Sequence, residues 1–182
     1  MRESAPPYAG EGPHALWHVS EDATIGRFEP HLRPGHAADE PLVWAIDTRH
    51  QPLYWFPREC PRATFWASST TSEEDVERFL DGNRMRRAHA IEGSWLGRMR
   101  SARVLAYRMP EETFEQDVDR FWISRVPVEP LELVDLGDLL ALHASAGIEL
   151  RLVPTLLPLW ERVLASTLGF SGIRLRNAAG VR

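Results

Sequence analysis

Two stretches of the sequence carry side chains with the chemistry to bind or transform a small molecule. An imidazole and a hydroxyl, His18 and Ser20, lie at the end of the first apolar run. Residues 54–62 contain aromatic rings and two arginines, Arg58 and Arg62, spaced four apart around a thiol and two prolines. Guanidinium groups bind phosphate oxygens through paired N–H donors. Residues 54–62 therefore predict a cradle for a phosphorylated ligand.

The thiol of Cys60 leaves two interpretations open. A neighbouring guanidinium lowers the pKa of a thiol and would make Cys60 the nucleophile of a cysteine-dependent enzyme, with a histidine as its base. An isolated cysteine is otherwise a small apolar side chain of the core. The pKa of the thiol separates the two interpretations, because a free cysteine titrates near ~8.5.

The histidines do not predict a metal site. His14 and His18 are four residues apart, but the apolar residues between them indicate a strand, on which side chains four apart lie ~13 Å from each other. The sequence also has no His-Glu-x-x-His, Cys-x-x-Cys, Gly-x-Gly-x-x-Gly or Gly-x-Ser-x-Gly motif. We expect no metal.

The composition narrows the classes of function further. The chain has 182 residues and a net charge of -5, and its 21 basic Lys and Arg positions are all arginine. Without lysine it can form neither a Schiff base nor a P-loop, and the acidic balance disfavours DNA as a partner. The single cysteine excludes an intramolecular disulfide and favours a cytoplasmic location. No apolar run approaches the ~20 residues of a membrane span, so we expect no membrane partner.

Apolar periodicity and turn residues predict the elements that position these side chains. Residues 1–14 indicate a disordered leader, and residues 15–182 a single domain. Strands are predicted at residues 15–19, 42–46, 62–67, 103–109, 121–126, 148–153 and, as an edge strand or tail, 171–177. Helices are predicted from a capping box at residues 71–74 to Leu80, at residues 139–145, and from Pro158 to Leu168, with a helical turn at 110–117. Residues 83–101 fit either a loop or an irregular helix. Without a regular βαβ rhythm, these elements favour an α+β fold with a mixed, largely antiparallel sheet and C-terminal helices.

Two segments resemble the first two motifs of ADP-ribosyltransferase-like domains. The segments LWHVS (16–20) and IGRFEP (25–30) resemble the opening strand, in which a His followed two places later by Ser or Thr holds the ribose of NAD. The strand VWAID (43–47), with Tyr54 ten residues after Trp44, resembles the second motif, in which a tyrosine stacks on nicotinamide. The resemblance implies a split sheet and NAD as a substrate. With the arginine cradle, it implies His18 and Tyr54 in catalysis and Ser20, Trp44, Arg58 and Arg62 in ligand binding.

The third motif of these transferases departs from the pattern. The matching strand is FWIS (121–124), and Arg120 stands where the transferases carry a Glu that stabilises an oxocarbenium-like transition state. Glu115, Asp117 and Asp119 are close but out of register. Residues 121–131 also resemble the RNA 2′-phosphotransferases, a branch of the fold that uses Arg and His instead, which implies a catalytic role for Arg120.

Over residues 15–178 the chain also resembles a bacterial domain family of unknown function, through its HVS, VWAID, YWFPRECPR, FWIS and SGIRLRNA segments. We therefore expect a cleft in which His18, Tyr54 and Arg58 together bind NAD or a related ADP-ribosyl or phosphorylated nucleotide, with ADP-ribosyl or phosphoryl transfer as its chemistry. The alternatives are a non-catalytic protein-interaction domain, which needs an exposed apolar patch, and the Cys60-dependent enzyme.

Overall fold

Two β-sheets, one of six strands and one of four, organise the chain. The computed structural model describes residues 3–32, 40–82, 86–117 and 120–181. The strands, numbered in chain order, are β1 Leu16–Ser20, β2 Val43–Asp47, β3 Arg62–Trp66, β4 Arg87–Glu92, β5 Leu105–Met109, β6 Glu115–Gln116, β7 Phe121–Ser124, β8 Glu132–Asp135, β9 Glu149–Val153 and β10 Gly169–Ile173. The α-helices are α1 Glu73–Leu80, α2 Leu96–Ser101, α3 Leu139–Ser145 and α4 Leu157–Leu164.

The sheets are mostly antiparallel. The six-stranded sheet has the order β6-β7-β2-β1-β5-β8, and the four-stranded sheet the order β10-β3-β4-β9. Among the strands described, β4 and β9 form the one parallel pair. This confirms the predicted mixture of helices with largely antiparallel sheets. No helix in the described ranges has the length and apolar character needed to cross a membrane.

Strand β1 lies inside its sheet, between β2 and β5, and its successive side chains point to opposite faces. On one face Leu16 packs in a buried cluster with Phe28 and Tyr107. On the other face Val19 packs against a cluster that contains Phe56 and Ile91. The second cluster joins the two sheets, since Ile91 belongs to β4.

The chain between β2 and β3 runs back along β1. It leaves β2 at Thr48, whose backbone N–H donates to the carbonyl of Ala15 at 3.0 Å. A 3-10 helix, Gln51–Tyr54, contacts β1. The backbone N–H of Arg58 then donates to the Glu21 carboxylate, just beyond the last residue of β1. The segment therefore runs alongside β1 from its first residue to its last before it enters the four-stranded sheet as β3.

Helices α1 and α4 cover the other face of the four-stranded sheet. The buried cluster there joins Phe65 of β3 to Phe79 and Leu80 of α1 and to Leu159 of α4. Helix α1 begins at Ser72, whose hydroxyl accepts a hydrogen bond from the Asp75 backbone N–H at 3.2 Å. The sequence predicted this start, at the capping box, and the end at Leu80.

The N-terminal segment differs from the predicted disordered leader wherever the structure describes it. Residues 3–14 lie against the body of the protein: Ala5 is fully buried, and the Tyr8 ring meets the Trp55 ring edge-on at 5.2 Å. The Arg87 guanidinium donates to the Pro6 carbonyl. The prolines and glycines of this segment prevent regular secondary structure, but its backbone carbonyls and the Tyr8 ring still contact the rest of the protein.

The structure differs from the predicted elements in three further places, where polar side chains obscured the apolar pattern of the sequence. Residues 86–101 contain β4, a strand at the centre of its sheet, and α2, whereas residues 83–85 of that ambiguous segment lie outside the described ranges. Residues 110–117 form a turn and the short strand β6 instead of a helical turn. The edge strand β10 begins at Gly169 and ends at Ile173, whereas an edge strand or tail was predicted at residues 171–177.

We expect the Gly169→Ala substitution to destabilise the protein by about 1–3 kcal/mol, because the new methyl group would overlap the buried Trp66 indole across the β3–β10 pair. Gly97→Ala is the matched control: the space around Gly97 is open and it lies in α2, so that variant should match the wild type or gain up to about 1 kcal/mol. Urea unfolding of the three proteins measures the difference, and equal stability of Gly169→Ala and wild type would contradict this packing.

Candidate functional site

The end of β1 and the turn before β3 meet at one carboxylate. Glu21 accepts the backbone N–H of Arg58 at 3.2 Å and the guanidinium of Arg98 at 2.9 Å through its two oxygens. The neighbouring Ser20 hydroxyl accepts the backbone N–H of Asp22 and starts the turn that carries Glu21 away from the sheet. The structure therefore brings the end of β1, where Ser20 is 5 % exposed, close to the turn that holds Arg58.

Four arginines gather at this junction, and we call them the arginine patch: Arg58, Arg98, Arg174 and Arg176. Arg174 donates to the Arg58 carbonyl at 3.3 Å and, like Arg176, lies 3.5 Å from the Glu59 carboxylate. A hydrogen bond from Asn177 lowers the pKa of Glu59, so this carboxylate is charged at neutral pH. The guanidinium groups of Arg98, Arg174 and Arg176 thus pair with two carboxylates, Glu21 and Glu59. The charge of Arg58 also acts on Glu59, in a protein that is acidic as a whole.

Arg62, predicted to bind a ligand, instead organises the turn from within. It is 2 % exposed, and its guanidinium donates to the carbonyls of Leu53 and Cys60 at 2.8 and 3.0 Å. The same group lies over the rings of Tyr54 and Phe56, 5.4 and 5.0 Å from their centres. Burial lowers the pKa of Arg62 to about 10, which leaves it charged at neutral pH. Arg62 is a positioning residue that holds Tyr54 half-exposed at the surface.

His18 lies on the opposite face of β1 from Tyr54. Its ring packs on Phe28 with the ring centres 4.6 Å apart, and its Nδ1 is 2.8 Å from the Trp44 carbonyl of the neighbouring strand. Trp44 is 7 % exposed, and its indole meets the Phe121 ring edge-on. The Arg62 guanidinium lies over both the Tyr54 ring and the Phe56 ring. The buried cluster that contains Phe56 packs against Val19. The structure therefore does not bring His18 and Trp44 into one cleft with Tyr54.

Arg120 lies at the other end of the six-stranded sheet from Ser20. Strand β7 begins at Phe121, which pairs with Ile46, and the β1 partner of Ile46 is Trp17. Arg120 therefore lies at the end of the sheet at which β1 begins, and its guanidinium lies over the Phe121 ring. Of the nearby acids, Glu115 forms an ion pair with Arg125, and Asp119 lies outside the described residues.

Cys60 is fully buried in the cluster between the sheets. Burial raises the pKa of its thiol to about 12, although Arg62 opposes the shift. A thiol that is protonated at neutral pH and shielded from solvent is a poor nucleophile. This environment supports the second interpretation, in which Cys60 is a small apolar side chain of the core.

Two buried histidines form a pair that sequence reasoning missed. His143 Nδ1 lies 2.7 Å from the Leu139 carbonyl, which can only accept, so Nδ1 carries the proton and Nε2 accepts. His89 Nδ1, 3.1 Å from that Nε2, must then be the donor. Burial is the main reason that the pKa of His143 falls to about 4 and that of His89 falls well below its usual value. Both rings are therefore neutral at pH 7.

A second missed pair, Asp47 and His50, lies at the end of β2. His50 Nδ1 is 2.7 Å from the Asp47 carboxylate, and both residues line a polar cavity of about 320 Å³. Burial alone would raise the pKa of Asp47, but hydrogen bonds and charge from His50 outweigh it and lower the pKa. An Asp three residues before a His at a strand end was the available sequence signal. Within the described ranges, no group of three His, Cys, Asp or Glu side chains is arranged to hold a metal ion.

We expect the Cys60 thiol to resist alkylation in the folded protein. Iodoacetamide at pH 8 should react far more slowly with the native protein than with the protein in urea, because the native thiol is buried and protonated. Mass spectrometry measures the rate directly, since the chain has one cysteine. Equal rates in the two states would restore the nucleophile interpretation.

We expect the free energy of unfolding to fall as the pH drops from 6.5 to about 4. Over this range the histidines of the unfolded chain bind protons that buried His143 and His89 do not, so protons favour unfolding. For His143 the loss is about 3 kcal/mol. His143→Gln should flatten this part of the stability profile in urea titrations, whereas His31→Gln, at an exposed histidine, should not. A profile as steep in His143→Gln as in wild type would contradict a neutral buried pair.

Comparison with known proteins assigns the chain to a family. No curated protein and no solved structure gives a significant match. A family model, described as a family of unknown function (DUF6886), matches residues 17–178, a range that contains the four described helices and, apart from the first residue of β1, both sheets. The chain belongs to the DUF6886 family.

Proposed function

We propose that the protein is a nucleotide-binding domain of the ADP-ribosyltransferase-like type, which binds NAD or a related ADP-ribosyl compound at the junction of β1 with the turn before β3. The observation that carries the proposal is the shared carboxylate of Glu21, which ties the HVS segment to the arginine turn although Glu21 and Arg58 are 37 residues apart. The end of β1, where the resemblance places the ribose, and the arginine cradle predicted at residues 54–62 are thus neighbours.

The arginine patch suits the phosphate groups of such a ligand. Arg58 is exposed, and Arg98 and Arg176 keep more than half of their side-chain surface in solvent. Guanidinium groups bind phosphate in pairs of hydrogen bonds, and the excess of positive charge attracts an anion to this part of an acidic protein. The carboxylates of Glu21 and Glu59 hold the patch in place before a ligand arrives.

Tyr54 suits the base or nicotinamide ring. Its half-exposed ring is held by the Arg62 guanidinium, which itself bonds two backbone carbonyls of the turn. A ring fixed in this way loses little entropy when a planar ligand stacks on it. The proposal assigns the ring to Tyr54, the phosphates to Arg58, and the ribose to Ser20. It does not use His18, Trp44 or Arg120, which lie elsewhere on the sheet.

The choice between ADP-ribosyl transfer and phosphoryl transfer as the reaction of this protein rests on the resemblance alone. ADP-ribosyl transfer needs a carboxylate beside the ribose, and phosphoryl transfer in the related branch needs Arg and His. At the junction, both carboxylates are already bound to arginine residues: Glu21 to Arg58 and Arg98, and Glu59 to Arg174 and Arg176. We therefore propose binding as the function and leave the reaction class as the resemblance implies it.

Calorimetry with NAD, ADP-ribose and AMP tests the proposal. Arg58→Glu should weaken binding at least about tenfold, because it removes a phosphate partner and adds a repelling charge. Arg162→Glu is the control, since Arg162 is exposed on α4 and donates within its own helix. Affinity for the wild type should also fall with added salt. No heat from millimolar nucleotide, or equal affinity of wild type and Arg58→Glu, would overturn the proposal.

A protein-interaction domain is the second candidate, favoured by one observation. Leu131 and Leu133, beside and within β8, are 66 % and 43 % exposed, and β8 is an edge strand. An edge strand with apolar side chains in solvent can pair with another chain. This function predicts that Arg58→Glu leaves the protein's activity in the cell intact.

A further inference from the structure

Strand β8 lies at one edge of the six-stranded sheet and carries exposed apolar side chains. Among the residues described, the two sheets have four edge strands, β6, β8, β9 and β10. Leu133 of β8 is 43 % exposed, and Leu131, two residues earlier, is 66 % exposed. In β9 a single large apolar side chain, Leu152, is exposed to a similar extent, at 45 %. A pair of exposed leucines thus distinguishes the β8 edge from the other described edges.

Backbone groups of β8 also point away from the sheet. The N–H of Leu136, directly after β8, donates to the carbonyl of Val104, directly before β5, at 3.0 Å. In an antiparallel ladder, residues that bond to the neighbouring strand alternate with residues whose N–H and C=O point the opposite way. Because Leu105 pairs with Asp135 in this register, the backbone groups of Leu133 and Asp135 point away from β5. Such groups are a template for a further strand.

The acidic side chains along this edge are compensated within the chain itself. The Asp135 carboxylate accepts from the Arg103 guanidinium at 2.7 Å, and Glu132 stands opposite Arg108 in the pairing of β8 with β5. The preceding acid, Glu129, lies 3.5 Å from the guanidinium of an arginine between β1 and β2. A basic partner would therefore find no excess of negative charge here. The edge instead suits a strand whose apolar residues match its own.

A second copy of β8 is such a strand. When two copies pair antiparallel, the residue on the two-fold axis stands opposite itself. An axis at Glu132 or at Asp135 is unfavourable, because like charges directly opposite each other destabilise a sheet. An axis at Leu133 brings the two leucines together, and an axis at Val134 brings the two valines together and pairs Leu133 with Asp135. In both of these arrangements each acid stands opposite an apolar residue of the other copy.

We propose that the protein forms a two-fold symmetric dimer in which the β8 strands of two copies pair antiparallel and join two six-stranded sheets into one continuous sheet. The pairing closes on itself, because each copy uses the same edge. Short strands bury less than the ~1,600 Å² of a standard interface, so we expect a dimer that forms at micromolar concentrations. The inference names the partner of this edge and does not rest on nucleotide binding.

Analytical ultracentrifugation of the full chain over a range of micromolar concentrations tests this inference. The mass of the wild type should rise from that of one chain to that of two. Leu133→Glu should weaken association at least about tenfold, because the new carboxylate would face either its own copy or Asp135. Leu152→Glu makes the same change at a similarly exposed leucine of β9, so this matched control should associate like the wild type. Arg58→Glu should also dimerise normally, which separates this surface from the nucleotide site.

Hydrogen exchange at the edge itself supplies a second readout. The backbone N–H of Asp135 points away from β5, so it should exchange more slowly in concentrated wild-type protein than in dilute protein or in Leu133→Glu. The proposal is overturned if the wild type stays monomeric at every concentration, or if Leu133→Glu associates as strongly as Leu152→Glu. Exchange of the Asp135 amide at a rate independent of concentration would overturn it as well.

Discussion

The buried guanidinium of Arg62 determines the path of the chain between the two sheets. A charge without a carboxylate partner is costly to bury. Here two backbone carbonyls and two aromatic rings offset that cost, and all four belong to residues 53–60. A planar group with several N–H donors is needed to bond two carbonyls while it lies between rings, which a lysine ammonium cannot do. Arg62 thus contacts Tyr54, Phe56 and Cys60 with one side chain.

The alternation of β1 decides which of the predicted residues can share a ligand. His18 and Leu16 point to the face that holds Phe28, and Val19 points to the face that holds Phe56. At the last residue, Ser20 and the following Glu21 meet the turn that Arg62 organises. Ser20 shares the face of His18, and it is the carboxylate of the next residue, Glu21, that joins this end of β1 to the turn that holds Arg58.

The sequence was sufficient where local patterns dominate. Strands β1, β2 and β3 and helices α1 and α3 lie within about two residues of their predicted bounds, because apolar runs, a capping box and an Asp cap mark them. Strand β4 was missed because its buried face carries Arg87 and His89, whose partners lie far away in the sequence. The same holds for Arg62: its residue type predicted a phosphate ligand, and only the tertiary structure shows it enclosed by its own turn. His50 was missed because its significance depends on a cavity built from three distant segments.

The two candidate sites differ in charge as well as in place. Four arginines and two glutamates form the patch beyond the last residue of β1, whereas two carboxylates and one arginine line the cavity beside its first residue. Four strand residues separate these ends by about 13 Å, which exceeds the distance over which substitutions usually couple. The anionic ligand proposed above therefore matches the charge of the arginine patch and not that of the cavity.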